Sequence, residues 1–214
     1  MPSNDQEMGL RARKKLETHR ALAKAALRLA AERGLDNVTA EDISAAAGVS
    51  PRTFFNYFAS KEDAILVAYP ESEQGAENLI RRFLDAPAEL SPLEALMEMM
   101  AEDMGVLDDN REEWLSRFAI VDENPALTAR IVSGQLSGEQ KMIDAIAERT
   151  GLDSTEDLYP ALLFATFGAA VKAATKLWAR NGGRQPVAEL IRAAVDSLAA
   201  GLPVPATRPS RGNS

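Results

Sequence analysis

The stretch from Val38 to Lys61, VTAEDISAAAGVSPRTFFNYFASK, leaves the chain the least freedom. Thr39 opens a short helix whose inward face is Ile43, Ala46 and Ala47, and Gly48 then supplies the backbone freedom of a tight turn. Val49 packs back onto the first helix. Ser50 caps and Pro51 starts a second short helix. Two short helices crossing over a turn of three or four residues make a helix-turn-helix. The N-terminal part of such a second helix enters the major groove of DNA, and here it carries Arg52, Thr53, Phe55, Asn56 and Tyr57. These are side chains that reach base edges, thymine methyls and phosphates. Phe54 and Phe58 are expected to plug the core beneath, in keeping with the burial habit of phenylalanine.

The rest of the chain also reads as helix. Leu22, Ala25, Ala26 and Leu29 recur at helical spacing and Gly34 closes that segment. Thr39 with Asp42, Ser60 with Asp63, Ser91 with Glu94 and Ser154 with Asp157 have the form that satisfies free amides at a helix start. Further helices are expected over Glu112–Val121, Pro125–Arg149, Thr155–Arg180 and Pro186–Ala200. The reading is an all-α protein: residues 1–68 form a three-helix DNA-binding unit with a basic arm, 69–202 a larger helical unit, and 203–214 a disordered tail. No strand-like alternation and no internal repeat interrupts it.

Charge supports a nucleic-acid partner only when it is divided along the chain. The net charge is −8, yet residues 1–61 hold ten lysines and arginines against seven acids, and residues 62–214 hold fourteen against twenty-five. A basic first part on an acidic remainder is expected when one end touches phosphates. Arg11, Arg13, Lys14 and Lys15 are its densest patch, and Arg13 is a candidate DNA contact from the arm. Lys61, beside Ser60 at a helix start, is a candidate phosphate contact. Absence of cysteine excludes disulfides, thiol nucleophiles and thiolate metal sites. His19, the single histidine, makes neither a metal site nor a catalytic pair and is expected on the surface of the first helix. With no phosphate-binding glycine loop either, an enzyme is not expected, nor is any cofactor or metal. The N-terminus lacks the apolar core of a signal peptide. Lys172 and Lys176 interrupt the richest apolar stretch, Leu158–Leu177, so a cytoplasmic protein that does not engage a membrane is expected.

Residues Arg20 to Leu66 resemble the TetR family of transcriptional regulators. The resemblance rests on Leu22, Ala25, Ala26, Leu29, Gly34, Thr39, Ile43, Ala47, Gly48, Val49, Ser50, Thr53, Tyr57, Phe58, Ser60, Lys61 and Glu62, in order and spacing. It implies that Thr39, Thr53, Tyr57 and Lys61 hold the DNA backbone while Arg52 and Asn56 face the groove. Arg52 departs from the family's commonly small residue and Phe55 from its common tyrosine, which removes a hydroxyl contact. The resemblance further implies an operator-bound homodimer released by a small molecule.

Two features of the later residues fit that scheme. Small residues recur through Ala161, Ala165, Thr166, Gly168, Ala169, Ala170, Ala173 and Ala174, and the last helix carries Ala193, Val195 and Leu198. Small side chains let helices approach closely, and Thr166, Ala169, Ala170, Ala173, Val195 and Leu198 are the candidate dimer interface. Flexible and aromatic groups, Met97, Met100, Met104, Trp114, Phe118, Phe164 and Phe167, either fill a core or line a cavity. The segment from Arg117 to Arg149 resembles the sensor domain of the actinobacterial TetR group related to mycofactocin regulators, which implies an apolar, acyl-CoA-like ligand. Arg117 and Arg130 are then candidates to meet its negative group, or to form ion pairs with Glu113 or Asp122. The competing reading is a DNA-binding architectural protein without a ligand; a closed apolar cavity of a few hundred cubic ångströms inside the second unit distinguishes them.

Overall fold

A computed structural model describes the backbone of residues 4–66 and 72–204, and the side chains of these residues except at 4–12, 72–76 and 132–137. The expected disordered tail lies almost wholly outside the described residues. Among them there are helices and turns and no strand. Helix α1 (Asn4–Arg33) is followed by one 3-10 turn (Leu35–Asn37), α2 (Ala40–Ala46), α3 (Pro51–Phe55) and α4 (Lys61–Leu66). Gly34, at φ 78°, makes the break after α1 in a conformation that a β-carbon disfavours. Thr39 caps α2 reciprocally: Asp42 donates its amide to the Thr39 hydroxyl at 3.1 Å, and the Asp42 carboxylate accepts the Thr39 amide at 3.0 Å. These bonds hold the exposed Asp42 carboxyl below the usual carboxylate range.

Leu22, Leu29, Ile43, Phe54, Phe58 and Ile65 form the core of this first part. Two of its buried members, Ile120 and Leu127, come from far along the chain. Burying side chains of this size contributes about 1.5–3 kcal/mol each.

The second core is built from α5 (Ser72–Leu84), α6 (Pro92–Asp109), α7 (Arg111–Glu123), α8 (Pro125–Thr150), α9 (Leu158–Arg180) and α10 (Val187–Ala199). Phe83, Leu96, Ile146, Phe167, Trp178 and Ile191 are among its buried residues. Ser91 and Glu94 form a second reciprocal cap with Pro92 in the first turn. Gly151, left-handed at φ 70°, ends α8, and Leu152 donates its amide to the Ala147 carbonyl at 3.0 Å. Arg149 ties the loop before α6 by donating to the carbonyls of Ala86 (2.9 Å), Pro87 (2.5 Å) and Leu90 (3.2 Å).

Helix α9 starts at Leu158, three residues later than expected. The carboxylate of Asp153 accepts the amide and hydroxyl of Thr155, at 2.7 and 2.6 Å, and Asp157 accepts the Asp153 amide at 2.9 Å. These local bonds compete with the helical ladder. Despite Lys172 and Lys176, α9 is long and apolar enough to cross a membrane by length and composition, with a mean hydropathy of 1.3 over its most apolar 18 residues, of which only 22% are buried. It packs most extensively against α10 and also against α8. Its exposed face carries Leu158, Tyr159, Leu162, Ala165, Ala169, Ala173 and Leu177.

Candidate DNA-reading head and sensor groove

The turn between α2 and α3 is closed by the Val49 amide, which donates to the Ser44 carbonyl at 2.9 Å, with Gly48 at φ 71°. Ser50 caps α3, its hydroxyl oxygen accepting the Thr53 amide at 3.1 Å and lying 2.9 Å from the Thr53 hydroxyl. Pro51 and this cap begin a helix of only five residues; Asn56 ends it, and Tyr57 lies in the turn beyond. Phe54 and Phe58 point inward, their rings 5.7 Å apart. Arg52, Phe55 and Asn56, one helical turn apart, are exposed, and Thr53 and Tyr57 are half-buried. Phe55 is 57% exposed, unusual for so large an apolar side chain. Thr39 and Ser50 are exposed with their hydroxyls engaged in the caps, and Arg13 is exposed on α1 beside Glu17, 3.6 Å away.

Two residues sit differently from the sequence reading. Lys61 does not stand free at its helix start: Nζ donates to the carbonyls of Leu35 at 2.8 Å and Val38 at 3.0 Å, stitching α4 to the turn after α1. His19, expected on the surface, is 3% exposed and lies against Phe58, ring centres 4.5 Å apart, and near Tyr57 at 6.2 Å. Burial, followed by the charges of Arg20 and Lys15, lowers its pKa below the ordinary histidine value.

Between the two cores, α4 is held from both sides. Arg130 on α8 donates to the Ser60 hydroxyl at 3.1 Å and the Asp63 carboxylate at 2.6 Å. Buried Arg117 on α7 donates to the Ile65 carbonyl and pairs with Glu113 at 2.8 Å. Both arginines considered for a ligand's negative group are thus engaged at the junction, Arg117 with its sequence-predicted partner Glu113 and Arg130 with Asp63 rather than Asp122.

The second core brings only part of the predicted sensor set to an opening. A groove of about 450 Å³ lies between α6 and α10, lined by Leu93, Met97, Met104 and Val195 with Glu94, Glu98, Arg192 and Asp196. Met97 and Met104 are there. Met100, Phe164 and Phe167 pack within the core instead, and the Trp114 ring lies tilted 6.0 Å from Phe118, whose ring meets Trp178 at 6.2 Å. Sequence reasoning missed Glu98, Arg192 and Asp196, which no local pattern connects.

Of the predicted interface, Ala169 and Ala173 are exposed on α9, whereas Ala170, Thr166 and Leu198 are half-buried. The Thr166 hydroxyl donates back to the Leu162 carbonyl at 2.7 Å. Val195 is 5% exposed and faces the subunit's own core. The large exposed members of the α9 face, Leu158 at 74%, Leu162 at 50% and Leu177 at 47%, were absent from the predicted set although their spacing follows the alanines.

A capped two-helix reading head at the front of an all-helical body has the build of a DNA-binding transcriptional regulator. Comparison with known proteins makes the family specific. Residues 22–67 match the bacterial regulatory proteins of the tetR family, and residues 90–203 match the MftR C-terminal domain. The chain is 30% identical over 176 residues to the HTH-type transcriptional regulator TcmR of Streptomyces glaucescens, across 79% of this chain and 76% of that protein. Its fold is similar to that of SmeT in complex with triclosan, with a TM-score of 0.59 at 20% identity over 92% of this chain and 100% of that one. SmeT is the repressor of the Stenotrophomonas maltophilia multidrug efflux pump SmeDEF. Thermus thermophilus FadR, a TetR family repressor in complex with lauroyl-CoA, is similar with a TM-score of 0.55 at 22% identity over 91% and 100% of the chains. The chain belongs to the TetR family of transcriptional regulators.

Proposed function

We propose that this regulator is a homodimeric cytoplasmic repressor that leaves a roughly palindromic operator when a small molecule with an apolar body binds it. Residues 1–68 are the reading unit and 69–202 the sensing and dimerising unit. The observation that carries the reading is the Ser50-capped α3, which turns Arg52, Phe55 and Asn56 outward while Phe54 and Phe58 anchor it. Arg52 and Asn56 meet base edges, Phe55 a thymine methyl, and Thr39, Thr53, Tyr57 and the Arg13 arm the backbone. One such head holds little surface. Two, joined through the apolar face of α9, read half-sites about 34–36 Å apart. That face serves a second subunit and not a membrane.

Release requires that the ligand bind the DNA-incompetent arrangement of the heads better than the competent one. The groove floored by Met97 and Met104 is the opening for such a ligand, and the junction made by Arg117 and Arg130 joins its helical body to α4. An acyl chain is one apolar body of suitable shape, by analogy with the lauroyl-CoA complex of the Thermus protein. A second reading, a DNA-binding architectural protein without a ligand, is favoured by the self-packed rings of Trp114, Phe118 and Trp178.

The test is fluorescence anisotropy on the DNA upstream of the protein's own coding sequence, against random DNA of equal length. Preferential binding that falls steeply with salt is expected. Arg52→Ala should relax specificity at one position by about 1–3 kcal/mol. Equal affinity for both DNAs would remove the assignment of these residues as operator readers.

A further inference from the structure

We infer that the groove between α6 and α10 binds an amphipathic organic monocation, a compound with an ammonium-type head and an apolar body. The assignment deepens the sensor reading above and rests on it for its effect at the operator, while binding itself is measurable independently.

The groove has two chemically distinct zones. Its floor is apolar, made by Leu93, Met97, Met104 and Val195, and its volume of about 450 Å³ suits a small molecule. Methionine makes that floor deformable and polarizable, so it accommodates apolar bodies of more than one shape. The rim holds three carboxylates, Glu94, Glu98 and Asp196, against one guanidinium, Arg192. The Ser91 hydroxyl and amide that bond Glu94 in the helix cap hold its carboxyl below the usual carboxylate range. Among the described residues, neither Glu98 nor Asp196 has a lysine or arginine within ion-pair distance. Arg192 precedes Asp196 by one helical turn, and the two are not among the ion pairs of the described residues.

The rim therefore presents a net charge of two negatives above an apolar floor, within a part of the chain that is itself strongly acidic. Low-dielectric walls concentrate such a field, drawing in a cation and opposing an anion. A coenzyme A thioester, with several negative charges on its phosphates, matches the floor with its acyl chain and meets repulsion at the rim. Arg192 sets the other limit: it disfavours a guest with a second positive charge. Apolar floor and acidic rim together select one positive charge on an apolar body.

The experiment is isothermal titration calorimetry of the full-length protein at low salt with octylammonium, octanol and octanoate, each below its aggregation concentration, and with lauroyl-CoA. Octylammonium should bind at least ten-fold more tightly than octanol and octanoate, and weaken as salt rises. Glu98→Gln with Asp196→Asn should erase that preference, leaving octylammonium no better than octanol. Ala101→Trp, placed in the groove wall, should abolish binding of all three. Octanol equal to octylammonium, tighter binding of octanoate or lauroyl-CoA, absence of binding heat, or survival of the preference in the double variant would each overturn the proposal. Operator affinity is measured on the same samples: loss of operator recognition would count against the regulator reading, whereas calorimetry alone decides the groove.

Discussion

Replacing Lys61 with alanine separates two accounts of the same residue. At a helix start beside the reading helix, a lysine is placed to meet a phosphate; in the folded head its ammonium instead donates to the Leu35 and Val38 carbonyls. Hydrogen bonds to a charged group contribute about 1.5–3 kcal/mol each. Lys61 is only half-buried, so water recovers part of that loss, and a net cost of about 2 kcal/mol is expected for the pair. With a urea dependence of about 2 kcal/mol per molar, the unfolding midpoint should fall by roughly 1 M. Circular dichroism in urea reads this directly, and the slope of log affinity against log salt for operator DNA is recorded in parallel. If Lys61 only neutralised a phosphate, the midpoint would stay in place and the salt slope would drop by about one. An unshifted midpoint with that smaller slope would refute the internal-stitch account.

The other predictions concern the interface, the buried histidine and the loop before α6. Ala169→Glu should turn the dimer into monomers in light scattering and abolish operator binding, because a carboxylate placed in a close helix contact lacks a partner; a dimeric variant would show that the exposed face of α9 is not the interface. His19 is held below its ordinary pKa, so the unfolded chain takes up its proton first on acidification: the contribution is complete above about pH 6.5 and is lost as pH falls through the lowered folded value. Wild type should therefore lose more urea resistance between pH 7 and 5 than His19→Leu, and parallel losses would contradict the burial account. Arg149→Met, which keeps an apolar stem over Phe83 but leaves the Ala86, Pro87 and Leu90 carbonyls without their donor, should cost about 2–4 kcal/mol in the same denaturation assay.

Features written within a few residues of one another were legible in the sequence. The caps at Thr39 and Ser91, the turn at Gly48 and the inward aim of Phe54 and Phe58 depend on local spacing, and they stand where that spacing puts them. His19 was misread although a signal was present: it falls three residues before Leu22 and continues the stripe through Ala26 and Leu29, all buried. Ser154 and Asp157 have a helix-start pattern, but the nearer Asp153 captures Thr155 first. Lys61 and the contact of Arg117 with Ile65 could not be placed because their acceptors are backbone carbonyls, which every residue carries and which only the fold selects. The groove was hidden for a related reason: Glu98 and Asp196 lie on separate helices, and nothing near either announces the other.

The first core is completed by Ile120 and Leu127, side chains that belong to α7 and α8. The reading head is consequently not a detachable module. A fragment ending near residue 68 would strip α1 and α4 of the α7 and α8 residues that pack on them, and transplanting the head onto a relative's body should succeed only if the graft carries the α7–α8 corner with it. Substitutions at Ile120 or Leu127, more than fifty residues beyond the head along the chain, should therefore alter the packing under it.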